Sequence, residues 1–418
     1  MYVPQAPRVC WITEEFPPET GGTGLVAARI AAEIALQGVD VSVVTRQTRP
    51  ARAAEEHFGP VHVHRIKPGG RLKGAGWRAL PALIAYLARL AALLLRRMRQ
   101  YDVIIVSCMK IIPIVAVPVA RALGKACIVR LESPFELVEP IAAESLGTMS
   151  RIGRALSGLL GAVQRRLLSR ADCVIAISAE VESRLKRTTC PPERILRIPN
   201  PIDLKRFKPI ERAARAALRD GLGLPRERTI VLYAGRLSRA KGVLMLVAGW
   251  REVLRQHPDA LLVMAGSGHG SWDDCEEELK GIVRAQALES DVLLVGATER
   301  VHEYMQAADV YVCPSDYEGF SLAIGEALAS ALPCVVTAVG AAPEIIEDGV
   351  SGFLFPPKDP SAMLAALNAC LGSPEHWAEI GRRARESVAP FALERVAARY
   401  VLLCRELTRS RGEPLSVA

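Results

Sequence analysis

The alternation of strand-like and helical segments along the chain constrains its fold more than any other sequence feature. Before residue 200 the strand-like runs are RVCWIT, VDVSVVT, VHVHRI, DVIIVS, ACIVRL and CVIAIS. A Pro-rich connection, RIPNPIDLKRFKP (197–209), follows them, and the pattern then restarts with TIVLYAG, ALLVMAG, VLLVG, VYVCPS and PCVVT. Such alternation is typical of a parallel sheet covered by helices. The sequence therefore predicts an α/β protein with two doubly wound domains and a hinge near residue 203.

Charge is divided unevenly between these two halves. Residues 1–200 carry 28 basic and 16 acidic side chains, whereas the remainder carries 25 and 29. A basic half suggests that this half meets a polyanion, which could be a nucleic acid, a membrane surface or a phosphorylated substrate. Aromatic residues make up only 5% of the chain, so the stacking platforms that bind single-stranded nucleic acid are scarce. Nucleic acid is therefore not expected as a partner.

Two basic amphipathic segments make an anionic membrane surface the alternative. In residues 79–98 apolar side chains recur at helical spacing, while Arg78, Arg89 and Arg96 fall on the opposite face. The segment 151–170 has a similar composition. A charged residue interrupts residues 79–98. A transmembrane helix takes about 20 predominantly apolar residues, so this segment is not predicted to span a membrane. An ordinary core-facing helix with a solvated basic face would give the same pattern, so both interpretations stay open.

The ten cysteines are scattered, and no two of them form a CxxC pair. We expect them to be reduced and structural, with no metal site. The opening residues lack the apolar segment of a signal peptide. The expected location is the cytoplasm, with peripheral attachment to the inner membrane face if the basic segments bind lipid.

Glycines follow the first predicted strand. Gly21, Gly22 and Gly24 stand before a helix expected from about Leu25 to Leu36. Amides at a helix N-terminus can face an anion, and glycines let it come close. The pattern is not GxGxxG and no acidic residue ends the second strand, which argues against a nicotinamide-dependent dehydrogenase.

The second half contains two further polar groupings. Arg236 and Lys241 follow its first strand in AGRLSRAKG and could clamp a diphosphate, although two surface cations alone would be unremarkable. In EGFSLAIGE, Glu318 is expected ahead of a helix and Glu326 inside it. One carboxylate could then accept hydrogen bonds from sugar hydroxyls and the other from a ribose diol, while amides at the helix start meet negative charge.

Together these segments resemble the retaining glycosyltransferases of the GT-B type, in particular family 4, also called glycosyl transferases group 1. The resemblance covers nearly the whole chain: it includes PPETGGTG, ADCVIAIS, IPNPIDLKRF, AGRLSRAKG, EGFSLAIGE and PEIIEDGVSGFLFPPKDP. It implies two Rossmann-like domains facing each other across a cleft. Residues 1–203 would form the acceptor-binding domain, 204–390 the nucleotide-sugar-binding domain, and 391–418 a helix that crosses back to the first domain.

The resemblance also implies roles for individual residues. Arg236 and Lys241 would bind the donor diphosphate and stabilise the leaving nucleotide, Glu326 would hold the ribose, and Gly21 and Gly22 would approach the diphosphate from the first domain. The donor sugar would contact the carboxylate of Glu318 and the amides of Gly319, Phe320, Ser321 and Leu322. The catalytic residues would thus be Arg236, Lys241 and Glu318.

The implied reaction moves a sugar from a nucleotide-diphosphate-sugar, UDP-linked rather than GDP-linked, to a hydroxyl of a glycan or lipid-linked acceptor in bacterial surface polysaccharide or glycolipid synthesis. The acceptor hydroxyl would attack on the face that the leaving group departs from, and the diphosphate would take the proton. No side-chain nucleophile, metal or other cofactor is expected.

One departure from the family concerns the strand ACIVRL. Many members place a histidine after this strand, whereas here the matching positions hold Arg130 and Glu132. Both are candidates for sugar or acceptor contact. Two alternatives follow: a non-catalytic binding protein with the GT-B fold, or a nucleotide-sugar epimerase. His62 and His64, on an early strand, are expected to be structural.

Overall fold

The structure, a computed structural model, describes residues 6–18, 21–47, 52–67, 80–107, 112–133, 161–269 and 273–409. Arg78, Cys108 and residues 151–160 of the second basic segment lie outside this range. The chain forms two compact units, one of residues 1–201 with 393–418 and the other of residues 202–392.

The strands are numbered along the chain. They are β1 (Val9–Ile12), β2 (Val41–Arg46), β3 (Glu55–Phe58), β4 (Val61–Ile66), β5 (Val103–Ser107), β6 (Ala126–Leu131), β7 (Cys173–Ala176), β8 (Ile195–Arg197), β9 (Thr229–Ala234), β10 (Ala260–Ala265), β11 (Val292–Gly296), β12 (Val310–Cys313), β13 (Cys334–Thr337) and β14 (Phe353–Phe355).

The helices are numbered in the same way, and residues 161–168 are also helical. They are α1 (Gly22–Leu36), α2 (Leu80–Arg96), α3 (Pro113–Ala122), α4 (Ala179–Lys186), α5 (Arg212–Leu222), α6 (Val243–Gln256), α7 (Glu276–Ala285), α8 (Val301–Ala307), α9 (Leu322–Ala329), α10 (Ala342–Ile345), α11 (Pro360–Leu371), α12 (Trp377–Val388) and α13 (Leu393–Arg409).

The first unit is built on an eight-stranded sheet with the order β3-β4-β2-β1-β5-β6-β7-β8. Neighbouring strands are parallel except for β3 and β4, which run antiparallel. The central strands are buried along their whole length, as expected for a parallel sheet covered on both faces. Helix α13 belongs to this unit: the ring of Tyr400 lies 5.5 Å from that of Trp11 on β1.

The second unit contains a six-stranded parallel sheet with the order β11-β10-β9-β12-β13-β14. Its core includes Trp250 of α6, Met264 of β10 and Leu367 of α11, none of them exposed to solvent. Every strand run predicted in both halves is present, which confirms the doubly wound α/β fold. Strands β3, β8 and β14 were not predicted.

The chain passes between the two units twice, after Pro201 and after Ala392. The two segments that connect the units contact each other at the ends of the second unit. The amide of Ile202 donates to the carbonyl of Phe391 over 2.8 Å, and Ile202 forms a parallel β-bridge with Ala392. The chain thus enters and leaves the second unit at neighbouring positions.

Within the described ranges, no helix combines the length and apolar character that crossing a bilayer requires. Nine cysteines fall in those ranges, and each is buried and free of a disulfide.

Candidate active site

The second sheet brings together the cation and the carboxylate that the sequence singled out. Strands β9 and β12 are parallel neighbours, with Val231 opposite Val310. Lys241 follows β9 and Glu318 follows β12, so both lie at the carboxyl edge of the sheet, where open α/β sheets bind ligands. Lys241 Nζ is 2.6 Å from Glu318 Oε1.

Hydroxyl groups fix the carboxylate in this position. Ser315 Oγ donates to Glu318 Oε1 over 2.8 Å, and Thr337 Oγ1 of β13 donates to the carbonyl of Ser315 over 2.7 Å. Ser315 and Thr337 are wholly buried. Neither residue was predicted from the sequence; Ser315 stands two positions after the end of β12, and Thr337 is the last residue of β13.

Two glycines allow the loops around the pair to approach closely. Gly242, just after Lys241, has φ +66°, and a Cβ there would be 2.0 Å from the carbonyl oxygen of Pro314. Gly340 has φ +57°, and a Cβ there would be 2.4 Å from the carbonyl oxygen of Glu318. The backbone at both sides of the pair is therefore packed with no space for a side chain.

The pair keeps Lys241 charged. Burial alone would lower the pKa of this amine, but the neighbouring Glu318 carboxylate outweighs that effect and the pKa is raised above its ordinary 10.5. The lysine side chain keeps 21% of its exposure and the glutamate 12%. A permanently cationic group thus remains within reach of a ligand.

Arg236 also lies at this edge, directly after β9, with an exposed side chain. Its backbone carbonyl accepts a hydrogen bond of 2.7 Å from the hydroxyl of the buried Tyr233. The backbone is therefore anchored while the guanidinium faces solvent, an arrangement suited to binding phosphate oxygens.

The predicted helix after Glu318 is present as α9, which begins at Leu322. Ser321 occupies its N-cap without a side-chain capping bond, and amides in the first turn of any helix lack an intrahelical acceptor. Glu326 lies inside the helix and is 6% exposed. Gly319, Ser321 and Leu322 are half-buried in the same segment, whereas Phe320 is buried with its ring 5.7 Å from that of Phe391.

In the first unit, α1 begins at Gly22, three residues earlier than predicted. Gly22 and Gly24 therefore belong to the helix, and only Gly21 precedes it as the N-cap. The amide of Gly21 donates to Glu15 Oε2 over 2.8 Å, so a carboxylate of this chain already holds that amide. Gly21 and Gly22 are exposed.

Arg130 and Glu132 form an internal cluster at the end of β6. The guanidinium of Arg130 donates to the Glu132 carboxylate and to Oδ1 of Asn200, and no part of Arg130 is exposed. The Glu132 side chain retains 9% exposure. Asn200, between two prolines, was not predicted as a site residue. Because Arg130 is sealed from solvent, it is placed to orient Glu132 rather than to contact a ligand.

The two Rossmann-like sheets match those of glycosyltransferase structures of the GT-B class, and the Lys241–Glu318 pair lies at the carboxyl edge of the second sheet. Residues 21–201 match the model of the glycosyl transferase 4-like domain, and residues 214–387 match that of glycosyl transferases group 1. The chain belongs to this family of retaining GT-B glycosyltransferases, and it is a nucleotide-sugar-dependent hexosyltransferase.

Several proteins are similar to this chain over nearly their full length. The α-maltose-1-phosphate synthase of Mycolicibacterium smegmatis is 28% identical, covering 96% of this chain and 100% of that protein. The D-inositol 3-phosphate glycosyltransferase of Xylanimonas cellulosilytica is 26% identical, and the match covers 97% of this chain and 98% of that protein. The structure of sucrose-phosphate synthase from Thermosynechococcus elongatus superimposes with a TM-score of 0.78 at 26% identity, covering 96% and 99%.

The fold is also shared with Anabaena HepE, solved in complex with UDP-glucose. That structure has a TM-score of 0.74 at 19% identity and covers 96% of this chain and 100% of HepE.

Proposed function

We propose that this protein transfers a hexosyl group from a UDP-sugar to a hydroxyl of an acceptor that carries phosphate, in the synthesis of a bacterial surface polysaccharide or glycolipid. The Lys241–Glu318 pair carries the proposal, because it places a fixed cation at the carboxyl edge of the second sheet. The UDP-glucose complex of HepE supports a uridine nucleotide. Two relatives named for sugar or inositol phosphates, together with the excess of basic residues before position 200, support an anionic acceptor.

In this mechanism Lys241 and Arg236 bind the donor diphosphate and stabilise the charge that develops on it as the glycosidic bond breaks. Glu318, held by Ser315, accepts hydrogen bonds from the hydroxyls of the donor sugar. The first-turn amides of α9 face the negative charge of the donor diphosphate. The acceptor hydroxyl attacks from the face that the diphosphate leaves, and a diphosphate oxygen takes its proton. The cationic side chains provide the charge stabilisation that a metal ion provides elsewhere.

A panel of UDP- and GDP-sugars tests the donor assignment. Purified protein should bind UDP-sugars, and turnover should require an added acceptor. Sugar rearrangement without an acceptor would instead indicate an epimerase. Saturable binding with no turnover on any acceptor would indicate a non-catalytic binding protein.

The ribose assignment depends on Glu326. Glu326→Ala should weaken UDP binding by about tenfold or more, since it removes a charged hydrogen-bond acceptor from a site that is 6% exposed. The matched control is Glu289→Ala, an exposed glutamate of the same unit. Equal UDP affinities of the two variants in calorimetry would contradict the assignment.

We further propose that the protein is cytoplasmic and binds the inner membrane face through α2. Ala82, Tyr86, Leu90 and Leu94 turn into the core and are buried. The apolar surface nevertheless continues onto the outer side of the helix, where Ile84 is 58% and Leu95 48% exposed. The exposed Arg89 and Arg96 lie between these two faces. Exposed apolar residues beside arginines are typical of helices that lie on anionic bilayers.

Flotation with anionic liposomes tests the membrane proposal. The double variant Arg89→Glu, Arg96→Glu should lose flotation, and high salt should lower that of the wild type. Leu36→Glu, at a residue 71% exposed on α1, is the control for an added charge elsewhere in the unit. Unchanged flotation of the arginine variant would show that its basic face is only solvated.

A further inference from the structure

The edge hairpin of the first sheet carries histidines and a carboxylate that the glycosyltransferase site does not use. In the antiparallel pair, Glu55 of β3 lies opposite His64 of β4, and His57 lies opposite His62. Residues two apart in a strand share a face. All four side chains therefore project from one face of the hairpin, as two cross-strand pairs.

Three of these side chains converge on one point. His64 Nδ1 is 3.4 Å from Glu55 Oε1, and His62 Nε2 is 3.6 Å from Glu55 Oε2. Together the three ligand atoms lie within 4.8 Å of one another. Ligand atoms held about 2.0–2.1 Å from a tetrahedral zinc ion are separated by about 3.3 Å. The observed spacing therefore needs little adjustment to hold such an ion.

The buried member of the group has an unused nitrogen. His64 is 4% exposed, and its Nδ1 has no hydrogen-bond partner in the part of the chain that the structure describes. Burying a polar atom without a hydrogen bond is costly, and a bound ion is one of the ways in which that cost is offset. This nitrogen faces the Glu55 carboxylate, where the ion would sit.

The surroundings provide orientation and a competing cation. The ring of His57 stacks on that of His62 at 4.9 Å, which fixes the His62 ring. Arg97 Nη1 lies 3.0 Å from His64 Nε2, and Arg97 Nη2 donates to Glu55 Oε1 over 2.7 Å. Arg97 thus occupies the carboxylate that the ion requires. It can turn toward Gln100, whose Oε1 is already 3.1 Å from Nη1.

We propose that Glu55, His62 and His64 form a binding site for a zinc-like divalent cation that joins β3 to β4, distinct from the glycosyltransferase site. Two imidazoles and one carboxylate suit zinc, with a water molecule as the fourth ligand. Arg97 is the competitor that sets the affinity of the site.

Calorimetric titration of the chelator-treated full-length protein with Zn²⁺ alone tests the proposal. One ion should bind per chain, and it should raise the unfolding temperature. His62→Ala and Glu55→Gln, at side chains that are 36% and 54% exposed, should each weaken binding at least about tenfold, the loss already typical of outer-shell partners. Arg97→Gln should tighten binding because it removes the competing cation.

The control is His376→Ala, a histidine with a carboxylate, Glu375, at 3.6 Å but on a different element. It should leave the affinity unchanged. Substituting Co²⁺ adds a second readout: nitrogen and oxygen ligands give d–d absorption without a thiolate charge-transfer band. The proposal is overturned if no saturable binding occurs, if His62→Ala binds as the wild type does, or if the thiolate band appears.

Discussion

At the scale of single residues, Lys241 is held in a fixed position by its neighbours. Its partner Glu318 holds it 2.6 Å away, and that carboxylate is fixed in turn by Ser315. The lysine is therefore positioned before any substrate arrives. Preorganised charges avoid reorganisation during a reaction, which is the property that the proposed role of Lys241 in stabilising the leaving diphosphate requires.

Lys241→Met should lower kcat/KM for the donor by about 10²- to 10³-fold, the usual cost of removing one preorganised charge-stabilising group. Steady-state kinetics would measure it, with the unfolding temperature as a check on folding. Lys208→Met, at an exposed lysine of the same unit, should change kcat/KM little. A loss below about threefold for Lys241→Met would remove this residue from the proposed mechanism.

Glu132→Ala should destabilise the protein by about 3–5 kcal/mol, because it leaves the wholly buried Arg130 without its carboxylate. Urea unfolding would measure the difference. Glu180→Ala removes one partner of Arg184 in a helical pair whose side chains are 38% and 35% exposed, and it should cost only about 0.3–0.5 kcal/mol. Similar losses in the two variants would mean that the Arg130 cluster is not a stabilising unit.

The segments AGRLSRAKG and EGFSLAIGE, taken together with the resemblance to family 4, singled out Lys241 and Glu318, whereas two surface cations alone would have been unremarkable. The sequence pattern did not indicate Ser315 or Asn200, because their roles depend on hydrogen bonds to Glu318 and Arg130 that only the fold creates. Nor could it show that Arg130 is sealed from solvent, because burial of a charge depends on partners 2 and 70 residues away.

At the scale of elements, the loop that follows β13 packs closely against the backbone of Glu318, and this contact can be tested. Gly340→Ala should weaken UDP-sugar binding, because the new Cβ would displace the Glu318 backbone 2.4 Å away. Gly349→Ala is a matched control: it too has a positive φ, +73°, but no atom within 4 Å of the added Cβ. Both should lose about 1–2 kcal/mol of stability from the left-handed backbone. Only Gly340→Ala should lose donor affinity in calorimetry, and equal affinities would contradict the proposed coupling.

Strand prediction succeeded where strands are buried on both faces, and the three strands that it missed, β3, β8 and β14, all lie at sheet edges. Strand β5 reads VIIVS and is wholly buried, so its apolar run was recognisable. Strand β3 reads EEHF and is largely exposed, so nothing apolar marked it. The start of α1 was misplaced because glycines at its first and third positions resemble a loop.

At the scale of the whole molecule, sheet order was the missing information. Lys241 and Glu318 are 77 positions apart in the sequence, and the apolar runs bring them together only once β9 is known to lie beside β12. Apolar runs indicate the buried parallel strands, but not which strand neighbours which. The pairing of the site residues was therefore beyond the sequence pattern.

The second unit should fold on its own. A fragment of residues 202–392 contains its complete six-stranded sheet and should unfold cooperatively in urea. The shorter fragment 212–387 lacks the Ile202–Ala392 bridge and should be less stable, by at least the roughly 0.5–1.5 kcal/mol of one hydrogen bond. Equal stability of the two fragments would show that joining the ends contributes nothing.

The bridge between Ile202 and Ala392 also affects how such a protein can change over evolution. Since both ends of the second unit meet, this unit is an insertion between residue 201 and helix α13 of the first. A domain whose ends lie next to each other can be exchanged as a whole without changing the path of the rest of the chain. Recombination at these two positions would exchange the second unit, with its proposed donor site, while leaving the first unit unchanged.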